Sequence, residues 1–191
     1  KSESGIPDRM PVHAHFSSYL MNLLDISSKT LFSKPEVFID SHFKITAYYD
    51  LDWPFLNFDF FNIEAEAMGM TLEWPEKGWP EFSPSEVLIK EPNDIEKLRV
   101  PDPYRDGRMP FIIEVHKRCL DFGINYFPRI CAPYTLATKI RGVSEFLMDI
   151  MTRPEFAHRL LSFLTEEVLA PYVAAFKKED PDCPVVGTDA N

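Results

Sequence analysis

Two histidines, His13 and His15, stand two residues apart in MPVHAHF (Met10–Phe16), whose apolar alternation predicts a short strand. A spacing of two puts both side chains on one face of a strand. Imidazoles placed that way can bind a metal, pass protons or hold a carboxylate. One satisfied structural histidine beside one pocket-lining histidine is the plainer outcome of the same pattern. Asp59 follows the apolar run WPFLNF and opens a helical stretch. It can cap that helix, or stand in a pocket and orient or protonate a substrate. Cys131 closes YFPRIC ahead of Ala132-Pro133, a place that suits a buried inert thiol better than a ligand or nucleophile. Asp189 ends the last apolar run and can cap a helix beyond this chain or serve a site. Arg99, Arg105, Arg108 and Arg129 read as surface or loop-anchoring cations. Arg108, next to the tight Asp106-Gly107 turn, suits the capping of loop carbonyls.

These residues need elements to hold them. Ser33–Leu51 reads as a helix, with Ser33 as cap, Pro35 in the first turn and Glu36 completing a capping box. Trp53–Phe58 predicts a second strand, and Asp59–Met68 a helix closed by a left-handed Gly69. Residues 71–91 form an excursion, with short strands at TLEW and EVLI around the turn-rich EKGWPEFSP. A short helix at Pro92–Leu98 and a loop at Pro101–Pro110 follow. Next come a helix at Phe111–Phe122 ended by Gly123, a third strand at Tyr126–Cys131, and a helix at Pro133–Arg141 ended by Gly142. Ser144 caps the next helix, Arg153-Pro154 breaks it, and a long helix runs from Pro154 towards Lys178. Val185-Val186 is the fourth strand.

Strands separated by helical crossovers define a parallel α/β fold. No glycine-rich phosphate fingerprint follows a strand, which sets aside Rossmann and P-loop domains. The βα units fit a TIM (β/α)8 barrel. With half the strands a barrel needs, residues 1–191 make up its amino-terminal half. The chain opens on Lys1 and stops just after a strand, which points to a piece of something longer. In a barrel, function gathers at the carboxyl ends of the strands. That rule selects His13, His15 and Phe16; then Asn57 and Asp59; then Cys131, Tyr134 and Thr135; and last Thr188, Asp189 and Asn191.

A composition of 45% hydrophobic and 14% aromatic residues supplies a core and excludes disorder as the main state. The cluster Tyr48, Tyr49, Trp53, Phe55, Phe58, Phe60 and Phe61 is core material, or a wall for a flat ligand. A net charge of −10 speaks against nucleic acid and anionic membrane as partners, while leaving room for a local basic pocket. The apolar runs are too short to span a bilayer, and KSESGIPDRM lacks a signal-peptide core. Cys119, Cys131 and Cys183, odd in number and without metal-type spacing, read as reduced thiols of a cytoplasmic protein.

Taken in order, several stretches resemble the uroporphyrinogen decarboxylase superfamily. ICAPYTLATKIRG (Ile130 to Gly142) and SEFLMDIMTRPEFAHRLLSFLTEEV (Ser144 to Val168) are similar to that family's strand, its Ala-Pro-aromatic-Thr-Leu turn and the helices after it. IEAEAMGM (Ile63 to Met70) resembles its EAEALG helix end. VPDPYRDGRMP (Val100 to Pro110) resembles the loop of its methyltransferase-like members. RMPV (Arg9 to Val12) matches the first strand and VVGTDA (Val185 to Ala190) the next barrel strand.

The resemblance implies a TIM barrel about twice this length, in an enzyme that is often a homodimer. It implies one of two chemistries. Decarboxylases remove acetate carboxylates from a tetrapyrrole without a cofactor. Methyltransferases move methyl groups between corrinoid proteins and thiols or other acceptors, usually with zinc. Where the decarboxylases carry an Arg-rich segment, whose guanidinium forks hold substrate carboxylates, this chain has HAHFSSY (His13 to Tyr19). Asp59 is one residue out of register with the family's pocket aspartate, and Lys139 stands where the family has a pocket tyrosine. These departures favour the methyltransferase-like branch, with zinc and a corrinoid as cofactors and a corrinoid protein or thiol as partner. A divergent decarboxylase acting on a porphyrinogen is the alternative.

The expected catalytic residues are then Asp59, His13 and His15, and the expected substrate contacts Phe16, Asn57, Tyr134, Lys139 and Asp189. The family's zinc ligands lie mainly in the later half of the barrel, so His13, His15 and Cys131 are this chain's only metal candidates. Two further classes stay open. An HxH at a first barrel strand also ligates zinc in metal-dependent hydrolases, although the later motifs do not fit. A non-catalytic half-barrel subunit would need a partner chain to complete it.

Overall fold

The computed structural model describes residues 9–83 and 85–189; Asn191 lies outside the described residues. The chain divides into two compact units. The first comprises the described residues up to Phe58 together with Pro75–Trp79. It holds three helices: α1 (Ser17–Leu23), α2 (Ser28–Leu31) and α3 (Pro35–Tyr48). On α3, Phe38, Ile39, His42, Ile45 and Thr46 are buried, one apolar stripe at helical spacing. They join Leu20, Met21, Leu31 and Phe32 in the core. The 75–79 segment is tied in by Trp79 stacking on Phe32, with ring centroids 5.5 Å apart. Lys77 Nζ adds bonds to Asp25 (2.8 Å) and to the Met21 carbonyl (3.3 Å).

Helix α3 starts as expected near Pro35, but Ser33 does not cap it. The Ser33 hydroxyl donates back to the Lys29 carbonyl, and Lys34 occupies the cap position without a side-chain bond. A larger difference concerns the first two expected barrel strands. Among the described residues, Met10–Phe16 and Trp53–Phe58 form no strand and join no sheet. Pro11 and Pro54 each remove a ladder donor. The N–H of Val12 goes instead to the Asp52 carboxylate (2.7 Å), while the Asp52 N–H reaches the Val12 carbonyl (3.0 Å). Arg9 closes this corner through a two-pronged bond to Asp52.

The second unit runs over Asp59–Trp74 and from Pro80 to the end of the described chain. Helix α4 (Ile63–Ala67) is shorter than the expected Asp59–Met68, and Gly69 follows at φ +116°. Strand β1 (Leu72–Glu73) pairs antiparallel with β2 (Glu81–Phe82). The excursion is therefore a small ribbon, and its return strand lies before EVLI. The Leu88 and Ile89 N–H groups both go to the Ile140 carbonyl (2.9 Å each), a helix-end acceptor rather than a strand neighbour. A short 3-10 helix at Pro92–Lys97 precedes α5 (Met109–Asp121).

Strand β3 (Arg129–Cys131) pairs in parallel with β4 (Val186–Thr188), with Cys131 opposite Thr188. The crossover between them is helical throughout: α6 (Pro133–Arg141), α7 (Val143–Thr152), α8 (Pro154–Phe163), a π-helical stretch (Leu164–Leu169) and α9 (Ala170–Glu179). Such a strand–helix–strand unit is the building block of a barrel. Among the described residues the parallel sheet has two strands, and no barrel is closed.

Helix α6 has the bounds read from Pro133 and Gly142. Gly142, not Ser144, holds the cap position of α7. The π-helical stretch sits just before Pro171, whose ring has no N–H and crowds the carbonyl four residues back, so the turn widens there. The buried Arg141 joins α6 to α7 through Asp149 (2.7 Å) and to the excursion through the Lys90 carbonyl (2.6 Å). No helix among the described residues is long and apolar enough to cross a membrane. All three cysteines are free and buried.

Candidate functional site

The second unit buries a charged centre around Arg108. The loop Val100–Pro110 builds it from local bonds. The Asp102 carboxylate accepts from the Tyr104 N–H (2.9 Å), and Asp106 accepts from the Asp102 N–H (2.7 Å) and pairs with Arg99. Gly107 then turns the chain at φ +51°, where a Cβ would meet the Ala67 backbone N at 2.8 Å. Only glycine allows that close approach of the loop to α4. The next residue is therefore delivered into the interior at the start of α5.

There the Arg108 fork grips Asp59, with Nη1 and Nη2 each 2.7 Å from a carboxylate oxygen, and its Nε bonds Glu66 at 2.6 Å. The guanidinium also lies over the Trp74 ring, 4.9 Å from its centroid. Asn62 donates to Asp59 (3.3 Å) and to the Pro80 carbonyl (2.7 Å). Burial works against the Arg108 charge, and Asp59 with Glu66 more than restores it, so the group stays cationic. Burial raises the Asp59 carboxyl, and Arg108 draws it only part of the way back, so it stays above the usual carboxylate range. Asp59, expected as a helix cap or an open pocket carboxylate, is thus held by Arg108.

One turn along, Glu64 is fully buried on α4. Its Oε1 accepts the Cys131 N–H at 3.1 Å, while Oε2 has no partner. β3 is paired to β4 on one edge, and this carboxyl satisfies the donor on the other edge. Burial pushes the Glu64 pKa up to about 8, with the nearby Asp59 charge adding to the shift and the Cys131 N–H opposing it. Glu64 is thus a protonated acid at neutral pH. Burial also pushes the Cys131 thiol up, with Glu64 adding to it, so this sulfur is held as a thiol.

Asp189 follows β4, and its Oδ1 accepts the Thr135 N–H at 2.9 Å, capping the first turn of α6. The helix that Asp189 caps therefore lies within this chain. Tyr134 is half-buried against Phe146, with centroids 5.9 Å apart. The Lys139 ammonium lies 5.6 Å from the Phe82 ring centroid. Cys131, Tyr134 and Asp189 thus gather at the carboxyl ends of β3 and β4, where a barrel places its chemistry.

In the first unit, His13 and His15 lie on the same aromatic face. Their centroids are 6.2 Å apart, and both rings contact Phe55, at 5.0 and 3.9 Å. Trp53 stacks on His13 at 5.7 Å. Both histidines are exposed, and Phe16 and Asn57 are half-buried. Phe16 stacks on Tyr49 at 5.5 Å. Among the described residues, His13, His15 and Cys131 join no group of three ligands close enough to share an ion; His116, Asp180 and Cys183 do.

Sequence reasoning missed Arg108, Glu64 and Glu66 as site residues. Two signals were present. Alternating acids among small apolar residues, as in IEAEA, put carboxylates where solvent is scarce. An arginine directly after an Asp-Gly turn is aimed by that turn.

Two measurements check this centre. Arg108→Ala strands the buried Asp59 and the half-buried Glu66 and should cost about 3–5 kcal/mol in urea unfolding, the scale for breaking a buried ion pair from one side. Arg108→Lys should recover only part of it, because an ammonium lacks the fork. Native Glu64 keeps its proton up to about pH 8, whereas the unfolded carboxyl releases it near 4.5. Its stabilising contribution is complete below 4.5 and is lost as pH rises through that window. Unfolding at a series of pH values should show a decline of the order of a few kcal/mol, flattened in Glu64→Gln.

Comparison with known proteins supports the same region of fold space. No curated protein matches the sequence. Among solved structures, a methyltransferase from Methanosarcina mazei superposes with a TM-score of 0.71 at 18% sequence identity, covering 93% of this chain. This chain spans only 53% of that structure's length. The family model described as uroporphyrinogen decarboxylase (URO-D) matches residues 4–188, nearly the whole sequence. The chain therefore belongs to the uroporphyrinogen decarboxylase family, whose fold is the TIM barrel.

Proposed function

We propose that this chain is the amino-terminal half of a TIM-barrel methyltransferase of the superfamily, moving methyl groups between a corrinoid protein and a thiol acceptor. One observation carries the reading. A decarboxylase of tetrapyrrole acetates needs guanidinium forks open to substrate carboxylates. The two buried arginines among the described residues are committed internally, Arg108 to Asp59 and Glu66, Arg141 to Asp149 and backbone carbonyls. The HAHFSSY segment adds no arginine where decarboxylases have theirs. The structural likeness to a methyltransferase points the same way.

On this reading the exposed imidazole–aromatic face of His13, His15, Trp53 and Phe55 takes a flat, weakly charged ligand by stacking. Phe16 and Asn57 belong to the same unit and extend its contacts. At the carboxyl ends of β3 and β4, Asp189 has one oxygen left after capping α6, and Tyr134 and Lys139 supply a hydroxyl and a cation for a polar acceptor. A thiol acceptor must lose its proton, and zinc supplies that acidity when bound. The family resemblance puts the ligands of that catalytic zinc mainly in the later half of the barrel. Asp59 acts from within, holding Arg108 and through it the turn that seats α5.

The test uses the full-length enzyme. It is incubated with a methylated corrinoid and a thiol, or with uroporphyrinogen, and methyl loss and carbon dioxide release are followed. Methyl transfer without carbon dioxide release is expected. His13→Ala/His15→Ala should lower kcat/KM by roughly tenfold, the loss of about 1.4 kcal/mol of binding. Carbon dioxide release from the porphyrinogen without methyl transfer would establish the decarboxylase instead.

A further inference from the structure

At the amino end of the parallel strand pair, opposite Cys131 and Asp189, three residues of different chemistry converge. His116 lies on α5, Asp180 ends α9, and Cys183 lies in the turn that leads into β4. One nitrogen of His116, the Cys183 sulfur and an Asp180 oxygen all fall within 4.8 Å of one another. We propose that they form a metal site, taking zinc or a similar borderline ion, which ties α5 and α9 to the entry of β4. The site is independent of the methyl-transfer reading and uses none of its residues.

Three features carry it. His116 is 1% exposed, yet neither of its ring nitrogens has a hydrogen-bond partner. A buried imidazole without partners forfeits the hydrogen bonds that water would supply. Its ring is held edge-on to Phe176 at 5.6 Å and near Tyr126 at 6.1 Å. It is thus fixed by packing rather than by a polar partner.

Second, the turn after α9 is already a chelating loop. The Cys183 N–H donates to the Asp180 carbonyl (3.0 Å), and the Asp182 N–H donates to Asp180 Oδ1 (3.2 Å). This folds Cys183 back beside Asp180 and leaves a carboxylate oxygen for an ion.

Third, the donor set is selective. Nitrogen, sulfur and oxygen suit zinc-like ions and not calcium or magnesium. With zinc bonds of about 2.0–2.3 Å, tetrahedral ligands stand roughly 3.3–3.8 Å apart. The present set must therefore draw in by about 1 Å. Asp180 is half-buried, which leaves a route from solvent.

The experiment uses full-length protein stripped by a chelator, reloaded with zinc and dialysed. Wild type, His116→Gln and Cys183→Ser are compared for zinc content. In parallel, alkylation of Cys183 in the wild type is followed by peptide mapping with and without zinc. Each variant should hold about one ion per chain fewer than the wild type, and zinc should slow Cys183 labelling at least tenfold. A catalytic zinc elsewhere in the barrel would be retained in both variants, so the difference reads this site alone. Unchanged labelling of Cys183 in the zinc-loaded wild type overturns the proposal, whatever the variants contain.

Discussion

The second unit depends on one buried cation. Arg108 sits where the loop after the excursion meets α4, and it neutralises two carboxylates from that neighbourhood. Neither side of this arrangement is stable alone. Without Arg108, Asp59 and Glu66 are charges in a low-dielectric interior; without them, the guanidinium is. The geometry follows from a glycine with no room for a side chain and from an arginine whose planar fork matches a carboxylate. Because Arg108 holds the N-cap position of α5 and Asp59 precedes α4, the pair ties together the starts of those two helices.

From that anchor the parallel pair acquires two ends with different chemistry. At the carboxyl end, Glu64 presents a protonated carboxyl to the edge of β3, and Asp189 reaches from β4 to cap α6. Glu64 thereby ties β3 to α4, and Asp189 ties the end of β4 to α6. This leaves a polar rim of Tyr134, Lys139 and Asp189. At the amino end, the return from α9 brings Asp180 and Cys183 under α5. The Arg108 centre is buried, and on the proposed reading its carboxylates serve the architecture and the rim the chemistry.

Much of the second unit is legible in the sequence, because its punctuation is local. Pro133 and Gly142 bound α6, Gly123 ends α5, and Pro154 starts α8. What could not be read was non-local. Met10–Phe16 and Trp53–Phe58 have strand-like patterns, but whether a ladder forms depends on a neighbour, and Pro11 and Pro54 weaken the donors they would offer. The burial of Arg108 depends on Asp59, forty-nine residues earlier, which no local pattern announces. Asp189 was readable as a cap, but not the helix it caps, because that helix comes fifty-four residues before it. Glu64 gains its role only from the edge of β3 that β4 leaves open, which no local pattern shows.

The most direct measurement of the central claim is equilibrium binding to the full-length enzyme, with a methylated corrinoid in one titration and a polycarboxylated porphyrin in the other. An enzyme whose buried arginines are spent on its own carboxylates, and whose first segment offers imidazole and aromatic faces, should bind the corrinoid and ignore the porphyrin. Tight porphyrin binding that weakens steeply with salt, with no corrinoid binding, would mean that open guanidinium groups line the mouth and would contradict the account.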